Sequence, residues 1–172
     1  MSLTIINGPC GIGKSTAAKH LHERVPLSYL VDVDVIMRNI SHYRDYREEK
    51  WELREAVAFA TVDTVLGLGR DAVVEKMIFD TDILDRYHEI GKRHGANITE
   101  IILWAPKEFV MQRADARGWR EVSSLTPETC ERFWYEIEMV KPKRPNAHVI
   151  DVTQMSEEEV VNAIEAYVKG TN

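Results

Sequence analysis

Four residues near the N-terminus, Gly8, Gly13, Lys14 and Ser15, have the types and spacing needed to bind phosphate. They fit the pattern G-x-x-x-x-G-K-[ST] without a mismatch, between an apolar run and the start of a helical pattern. Glycines let successive backbone N–H groups turn toward an anion, and the following helix points its positive dipole end at the same place. The pattern predicts that Lys14 reaches the β- and γ-phosphates of a nucleotide and that the Ser15 hydroxyl ligates Mg²⁺. The residues predicted to bind the nucleotide phosphates are Gly8, Pro9, Cys10, Gly11, Ile12, Gly13, Lys14, Ser15 and Thr16.

Two carboxylates, Asp32 and Asp34, follow the apolar run 28–31. The carboxyl end of a buried parallel strand borders the crevice in which open α/β sheets bind ligands. One carboxylate there can hold Mg²⁺ through water while the other accepts the proton of an attacking hydroxyl. We assign the metal to Asp32 and the proton to Asp34. The alternative interpretation is a solvated strand end, or a cap for a helix that starts near Val35.

Two arginines, Arg113 and Arg117, lie four positions apart on one predicted helix. One guanidinium can stack on a base while the other holds phosphate oxygens. Cations are also favoured at any helix C-terminus by the dipole, so a purely structural role is the alternative.

Glu75 interrupts an otherwise apolar strand, where it could contact substrate or the magnesium shell, or simply end the strand. Arg38 is a candidate substrate residue, since several arginines follow the Asp32–Asp34 pair and could hold an acidic or polyhydroxyl molecule; a solvated helix face would show the same composition. The other arginines of this group are Arg44, Arg47 and Arg54. Cys10 lies inside the predicted phosphate loop, where a thiol near a helix N-terminus can be reactive, although nothing in the sequence gives it a catalytic role.

The totals favour one soluble domain over residues 1–172, with a formal net charge of −6. No Lys/Arg run is long enough for a nucleic-acid groove, and no run of about 18 apolar residues predicts a membrane span. Two cysteines, Cys10 and Cys130, without a C-x-x-C pair favour a reducing compartment and no cysteine-based metal site. The chain enters a strand without a signal-peptide pattern, so we expect a cytoplasmic protein that is a monomer or a homodimer.

Strand and helix patterns alternate along the whole chain, which predicts an α/β fold with a mostly parallel sheet. Polar segments at 41–50 and 118–125 predict loops. The five predicted strands are 3–6, 28–31, 72–79, 98–104 and 148–152. Predicted helices cover 14–25, 51–66, 83–94, the segment after Pro106, 127–140, and a last helix opened by a capping box of Ser156 and Glu159.

Taken together, these residues resemble the small P-loop kinases, a group that includes gluconate kinase, shikimate kinase, chloramphenicol phosphotransferase and the nucleoside monophosphate kinases. The resemblance covers nearly the whole chain. It implies a three-layer α/β/α fold with a parallel five-stranded sheet and a short lid at about 113–126. It also implies that Arg113 covers the adenine, that Arg117 touches the phosphates, and that Val152 and Thr153 border the adenine. The lid is short, and Glu75-Lys76 replaces the glycine-rich substrate loop of shikimate kinases.

The function that these features predict is Mg²⁺-dependent transfer of the γ-phosphate of ATP to a hydroxyl of a small molecule, such as a sugar acid, a polyol or an antibiotic. Lys14, Arg117 and Mg²⁺ would stabilise the transferring phosphoryl group, with Asp34 as base. Two alternatives remain open. One is a nucleotide or nucleotide-sugar kinase, and the other is a slow ATPase that acts as a nucleotide-gated binding module.

Overall fold

Five parallel strands form one sheet in the order β2-β3-β1-β4-β5 in the computed structural model, which describes residues 1–46, 48–116, 118 and 125–170. The predicted α/β fold with a five-stranded parallel sheet is confirmed. The strands are β1 (Ser2–Asn7), β2 (Tyr29–Asp32), β3 (Ala72–Glu75), β4 (Asn97–Trp104) and β5 (His148–Asp151). The helices are α1 (Lys14–Glu23), α2 (Val33–Arg38), α3 (Glu49–Gly67), α4 (Thr81–Arg93), α5 (Lys107–Ala116), α6 (Pro127–Val140) and α7 (Glu157–Gly170), with a 3-10 turn at Lys141–Lys143.

Helices cover both faces of the sheet, because the strands are apolar on both sides. On one face, α3 and α4 pack against side chains such as Leu3 and Val74. On the other face, α1, α5, α6 and α7 pack against side chains such as Ile6 and Leu103. Among the described residues, no helix combines the length and apolar content that crossing a membrane requires.

The order of the strands determines where in the sheet a ligand-binding crevice can lie. The chain visits β2 and β3 on one side of β1 and then β4 and β5 on the other side. The connection that leaves β1 therefore runs toward β2, and the connection that leaves the neighbouring strand β4 runs the opposite way, toward β5. Where two connections diverge in this way, the carboxyl ends of the parallel strands border a crevice.

Strand β3 ends at Glu75, four residues before the end of the predicted strand 72–79. The reason is the buried side chain of Asn7. Its amide donates to the carbonyl of Ile78 at 2.9 Å, and its oxygen accepts the Ile78 N–H at 2.9 Å. One side chain thus satisfies backbone groups that would otherwise continue the ladder.

The last helix begins as predicted. Ser156 accepts the backbone N–H of Glu159 at 3.3 Å, and the Glu159 carboxylate accepts the Ser156 backbone N–H at 2.7 Å. A second capping box, Thr126 with Thr129, opens α6 ahead of Pro127. Both helices therefore start where local side-chain chemistry satisfies their free N–H groups.

Candidate active site

The predicted phosphate loop lies between β1 and α1, at the carboxyl edge of the central strand. Its backbone is left-handed at Gly8 (φ 144°) and at Gly13 (φ 108°), where other residues would be strained. Of these two glycines, only Gly8 also lacks room for a side chain, since a Cβ there would lie 2.5 Å from the backbone oxygen of Leu103. Asn7 braces the loop by accepting the Gly8 N–H at 2.8 Å.

Lys14 folds back over the loop. It is 8% exposed, and its Nζ donates to the carbonyl of Pro9 at 2.9 Å. The ammonium group is thereby held against the loop that is predicted to bind the phosphates of a nucleotide. Ser15, the next residue, is exposed, and its hydroxyl lies close enough to the carboxylate of Glu75 to oppose slightly the rise in the pKa of that group.

Three carboxylates meet beside this hydroxyl. Asp32 and Glu75 are direct neighbours at the ends of β2 and β3, and Asp34 lies in the first turn of α2. Burial raises the pKa of Glu75, Lys14 opposes the shift, and Asp32 and Asp34 reinforce it. The structure thus brings Ser15, Asp32 and Glu75 together, with the exposed Asp34 next to them.

Asp32 also has a structural role. Its Oδ1 accepts the backbone N–H of Val35 at 2.9 Å and caps α2, which is the alternative that the sequence left open. The two roles are compatible, because a carboxylate has a second oxygen for a metal or for metal-bound water.

A hydroxyl and two carboxylates are hard oxygen donors, and Mg²⁺ typically uses one or two carboxylates together with substrate phosphates and water. The donor set of Ser15, Asp32 and Glu75 therefore fits Mg²⁺ bound together with a nucleotide. Among the described residues, no group of three or more His, Cys, Asp or Glu side chains is arranged to bind a metal ion.

A small pocket of about 20 Å³ lies beside the phosphate loop and includes two of the residues predicted to border the adenine. Arg113 and Val152 both line it, together with Thr16 and Ala17 from the first turn of α1. Thr153 follows the lining residue Val152 in the sequence, and its backbone N–H donates to the Oδ1 of Asp151 at 2.9 Å. Four lining residues were not predicted as site residues, because the sequence indicates only helix faces and a helix start there: Ala17, Met155, Glu157 and Val160. Arg117 and residues 119–124 of the predicted lid lie outside the described residues.

Comparison with known proteins identifies the family and the fold of this chain. Residues 3–138 match the protein family described as AAA domain. The chain belongs to the AAA domain family. A search of curated protein sequences gave no significant match.

Solved structures share the fold of this AAA domain protein over almost its whole length. The tunicamycin resistance protein of Deinococcus radiodurans superposes with a TM-score of 0.68 at 21% identity, covering 97% of this chain and 95% of that protein. A gluconokinase from Sinorhizobium meliloti 1021 gives a TM-score of 0.72 at 14% identity, covering 98% and 92%. At such identities the likeness establishes the fold, and the predicted resemblance to small P-loop kinases is confirmed at that level.

The arginines that follow the two aspartates have different surroundings in this AAA domain protein. Arg38 is exposed at the opposite end of α2 from Asp34, and Arg44 is exposed with its guanidinium 5.4 Å from the Tyr43 ring. Arg54 is buried in α3 and bound to Glu55. Arg47 lies outside the described residues.

The two cysteines are joined. Cys10 in the phosphate loop forms a disulfide with Cys130 in α6, with their Cα atoms 6.2 Å apart. The cysteine count favours a reducing compartment and suggests no pairing between the two residues. No local pattern could show the pair, because 120 residues separate Cys10 from Cys130 and only the folded chain brings α6 against the loop. Cys10 in this state has no thiol to react.

Proposed function

We propose that this protein is a kinase that transfers the γ-phosphate of ATP to a hydroxyl of a small molecule. The observation that supports the proposal is the meeting, at one edge of the sheet, of a phosphate loop closed by Lys14, a hydroxyl–carboxylate group suited to Mg²⁺, and the exposed Asp34 beside them. Phosphoryl transfer needs positioning and charge neutralisation more than covalent help from the protein.

Each group has a role in that reaction. The loop N–H groups and Lys14 hold the β- and γ-phosphates, and Arg113 covers the adenine. Ser15, Asp32 and Glu75 hold Mg²⁺, which when bound neutralises charge on the phosphate oxygens. Asp34 accepts the proton of the acceptor hydroxyl while the oxygen of that hydroxyl bonds to the γ-phosphorus. The bond from the γ-phosphorus to the ADP oxygen breaks in the same step. Arg117 stays a predicted contact to the phosphates.

The test is ADP release measured against a panel of sugars, sugar acids, antibiotics and nucleotides, with the phosphorylated product identified by mass spectrometry. A phosphorylated nucleotide would favour the alternative nucleotide kinase, and ADP release that no acceptor raises would favour a slow ATPase.

Lys14→Met removes the charge that faces the phosphates with little change in side-chain length. We expect turnover to fall by orders of magnitude, because the lost charge acts in a water-poor site, while the melting temperature stays near that of the wild type. Lys19→Met is the matched control, since Lys19 lies on the same helix with its side chain 67% exposed. Undiminished turnover in Lys14→Met would exclude the proposed mechanism.

A further inference from the structure

The outward face of α3 carries no charge. Every exposed residue from position 53 to position 68 is apolar, a glycine or a threonine, although 29% of the chain is charged. Leu53 is 49% exposed, Val57 is 41% exposed, and Leu68 at the C-terminal cap is 72% exposed. These exposed residues form what we call the α3 outer face: Leu53, Ala56, Val57, Ala60, Thr64, Gly67 and Leu68.

The opposite face of the same helix is apolar as well. Ala58, Val62 and Leu66 are buried in the core that α3 shares with the sheet. A helix at the surface of a soluble protein normally shows polar and charged side chains on its outer side, and a helix that is apolar all round is normally buried all round. From position 53 onward, the composition of α3 is therefore that of a helix covered on both sides.

A groove runs beside the α3 outer face, between α3 and α4, with a volume of about 640 Å³. Phe59 of α3 and Ile90 of α4 line it, together with Ala56 and Ala60 of the outer face. The charged side chains that also line it are Glu52, Glu55, Asp63, Arg86 and Arg93. The surface thus combines an apolar strip with charges beside it, as the core and the polar rim of a protein interface do.

The α3 outer face is complementary to itself. Ala60 lies midway along the sequence between Leu53 and Gly67, and midway between Ala56 and Thr64. An antiparallel pair of α3 helices with Ala60 on a two-fold axis therefore sets the large side chain of Leu53 opposite Gly67, which has no side chain. Large residues that face small ones let two helices approach closely and interdigitate.

The two ends of the face match in charge. Glu49 and Glu52 are exposed at the N-terminal end of α3, and Arg70 is exposed just beyond its C-terminal end. None of these three residues forms an ion pair with another described residue. Lys50, at the acidic end, lies 5.2 Å from the centre of the Trp51 ring. The antiparallel arrangement brings the acidic end of each copy toward Arg70 of the other, and opposite charges across an interface fix its register.

We propose that a second copy of this chain covers the α3 outer face, in a two-fold symmetric dimer with antiparallel α3 helices. Two-fold dimers are the commonest assemblies of soluble proteins, and they bury the same patch on both subunits, as a self-complementary face requires. The face is about 22 Å long at the helical rise per residue, and α3 and α4 side by side are about 20 Å wide. The planar footprint is then roughly 450 Å² per subunit, about half the area that a standard stable interface buries on each partner. We therefore expect a weak dimer, with a Kd of about 1–100 µM.

The experiment measures the mass of the whole chain by sedimentation equilibrium, at concentrations that bracket the expected Kd. The wild type should change from the 19.8 kDa of one chain to twice that mass as the concentration rises.

Ala60→Arg tests the contact on the two-fold axis. Ala60 is exposed, and arginine is nearly as good a helix former as alanine, so the melting temperature should stay near that of the wild type. In the dimer two guanidinium groups then meet and hold the helices apart, and the Kd should rise by at least about 100-fold. Ala166→Arg is the matched control, because Ala166 is exposed in α7 on the other face of the sheet, and its dimer should have the Kd of the wild type.

Charge reversal tests the antiparallel register. Arg70→Glu and Glu52→Arg should each raise the Kd by about 10-fold, since like charges then face each other at both ends of the interface. The double variant restores opposite charges and should return the Kd to that of the wild type. Such a recovery is expected only when the chain binds a copy of itself in this sense, because an unrelated partner would not carry the compensating change.

Three results would overturn the inference. A wild-type chain that stays monomeric at every concentration would mean that another protein, or none, covers the α3 outer face. A dimer whose Kd is unchanged by Ala60→Arg would have its interface elsewhere on the molecule. A dimer that Ala60→Arg disrupts, but that the double charge reversal fails to restore, would not have antiparallel α3 helices. None of these readouts depends on turnover, so the outcome is independent of the proposed kinase activity.

Discussion

Replacing Asp34 by asparagine tests the base in the proposed reaction. Asp34 is exposed in the first turn of α2, and its side chain makes no hydrogen bond to the described residues. Asparagine has the same shape and does not accept a proton at neutral pH. The substitution therefore removes the proton acceptor and changes little else in the fold.

The expected magnitudes follow from this position. Surface substitutions that break no contact change stability by about 0.5 kcal/mol or less. General-base assistance contributes ~10²–10⁴ in rate, or about 3–5 kcal/mol of barrier. Asp34→Asn should thus lower kcat by roughly that factor while the affinity for Mg·ATP stays within a few fold.

Asp32→Asn is the matched comparison. Asparagine caps a helix as well as aspartate does, so the bond to the Val35 N–H and the stability should be kept. The charge near Ser15 is lost, and the variant should need more Mg²⁺ for half-maximal activity. The assay is steady-state ADP release with an identified acceptor, at varied ATP and Mg²⁺. Near-normal kcat in Asp34→Asn, or a loss of Mg·ATP binding as severe as its loss of turnover, would refute the assignment.

Two further predictions concern the arginine pair Arg113 and Arg117 and the Cys10–Cys130 disulfide. Arg113→Ala should mainly raise the KM for ATP, since Arg113 lines the predicted adenine pocket. Arg117→Ala should mainly lower kcat. Equal and small effects of both substitutions in steady-state kinetics would show that the two arginines only stabilise the end of a helix. Reducing the Cys10–Cys130 disulfide should lower the free energy of unfolding by about 2–5 kcal/mol in urea denaturation, because the bond closes a long loop in the unfolded chain. Cys130→Ser should not respond to the reductant, and identical wild-type curves with and without it would contradict this prediction.

Local signals predicted much of the fold. The G-x-x-x-x-G-K-[ST] spacing located the turn between β1 and α1, and the Ser156–Glu159 pair located the start of α7. Both depend on contacts between residues a few positions apart, which a sequence shows directly. The largely apolar run 98–104 also predicted a strand covered on both faces, and β4 is buried at each position from Thr99 to Leu103.

The rest depends on contacts between distant segments. Asn7 reads as the polar end of an apolar run, yet it shortens β3 by binding Ile78, 71 positions away. The sequence places Lys76 inside the predicted strand 72–79 without a partner, and only the packing of α3 on β3 buries it against Glu55. The Cys10–Cys130 bond has the same origin. No local pattern encodes such pairs, since their geometry exists only once the layers are assembled.

The crowding at Gly8 bears on how such a sequence diverges. A side chain at Gly8 would collide with the backbone of Leu103, whereas Gly13 has no atom within 4 Å of the position of its missing Cβ. The first glycine of the pattern is thus required by the contact between the β1 turn and β4, whether or not a nucleotide binds. A descendant that lost catalysis would keep Gly8 while Lys14 was free to drift. Within this pattern Gly8 is therefore a marker of common architecture, and Lys14 is the residue whose retention would accompany the proposed activity.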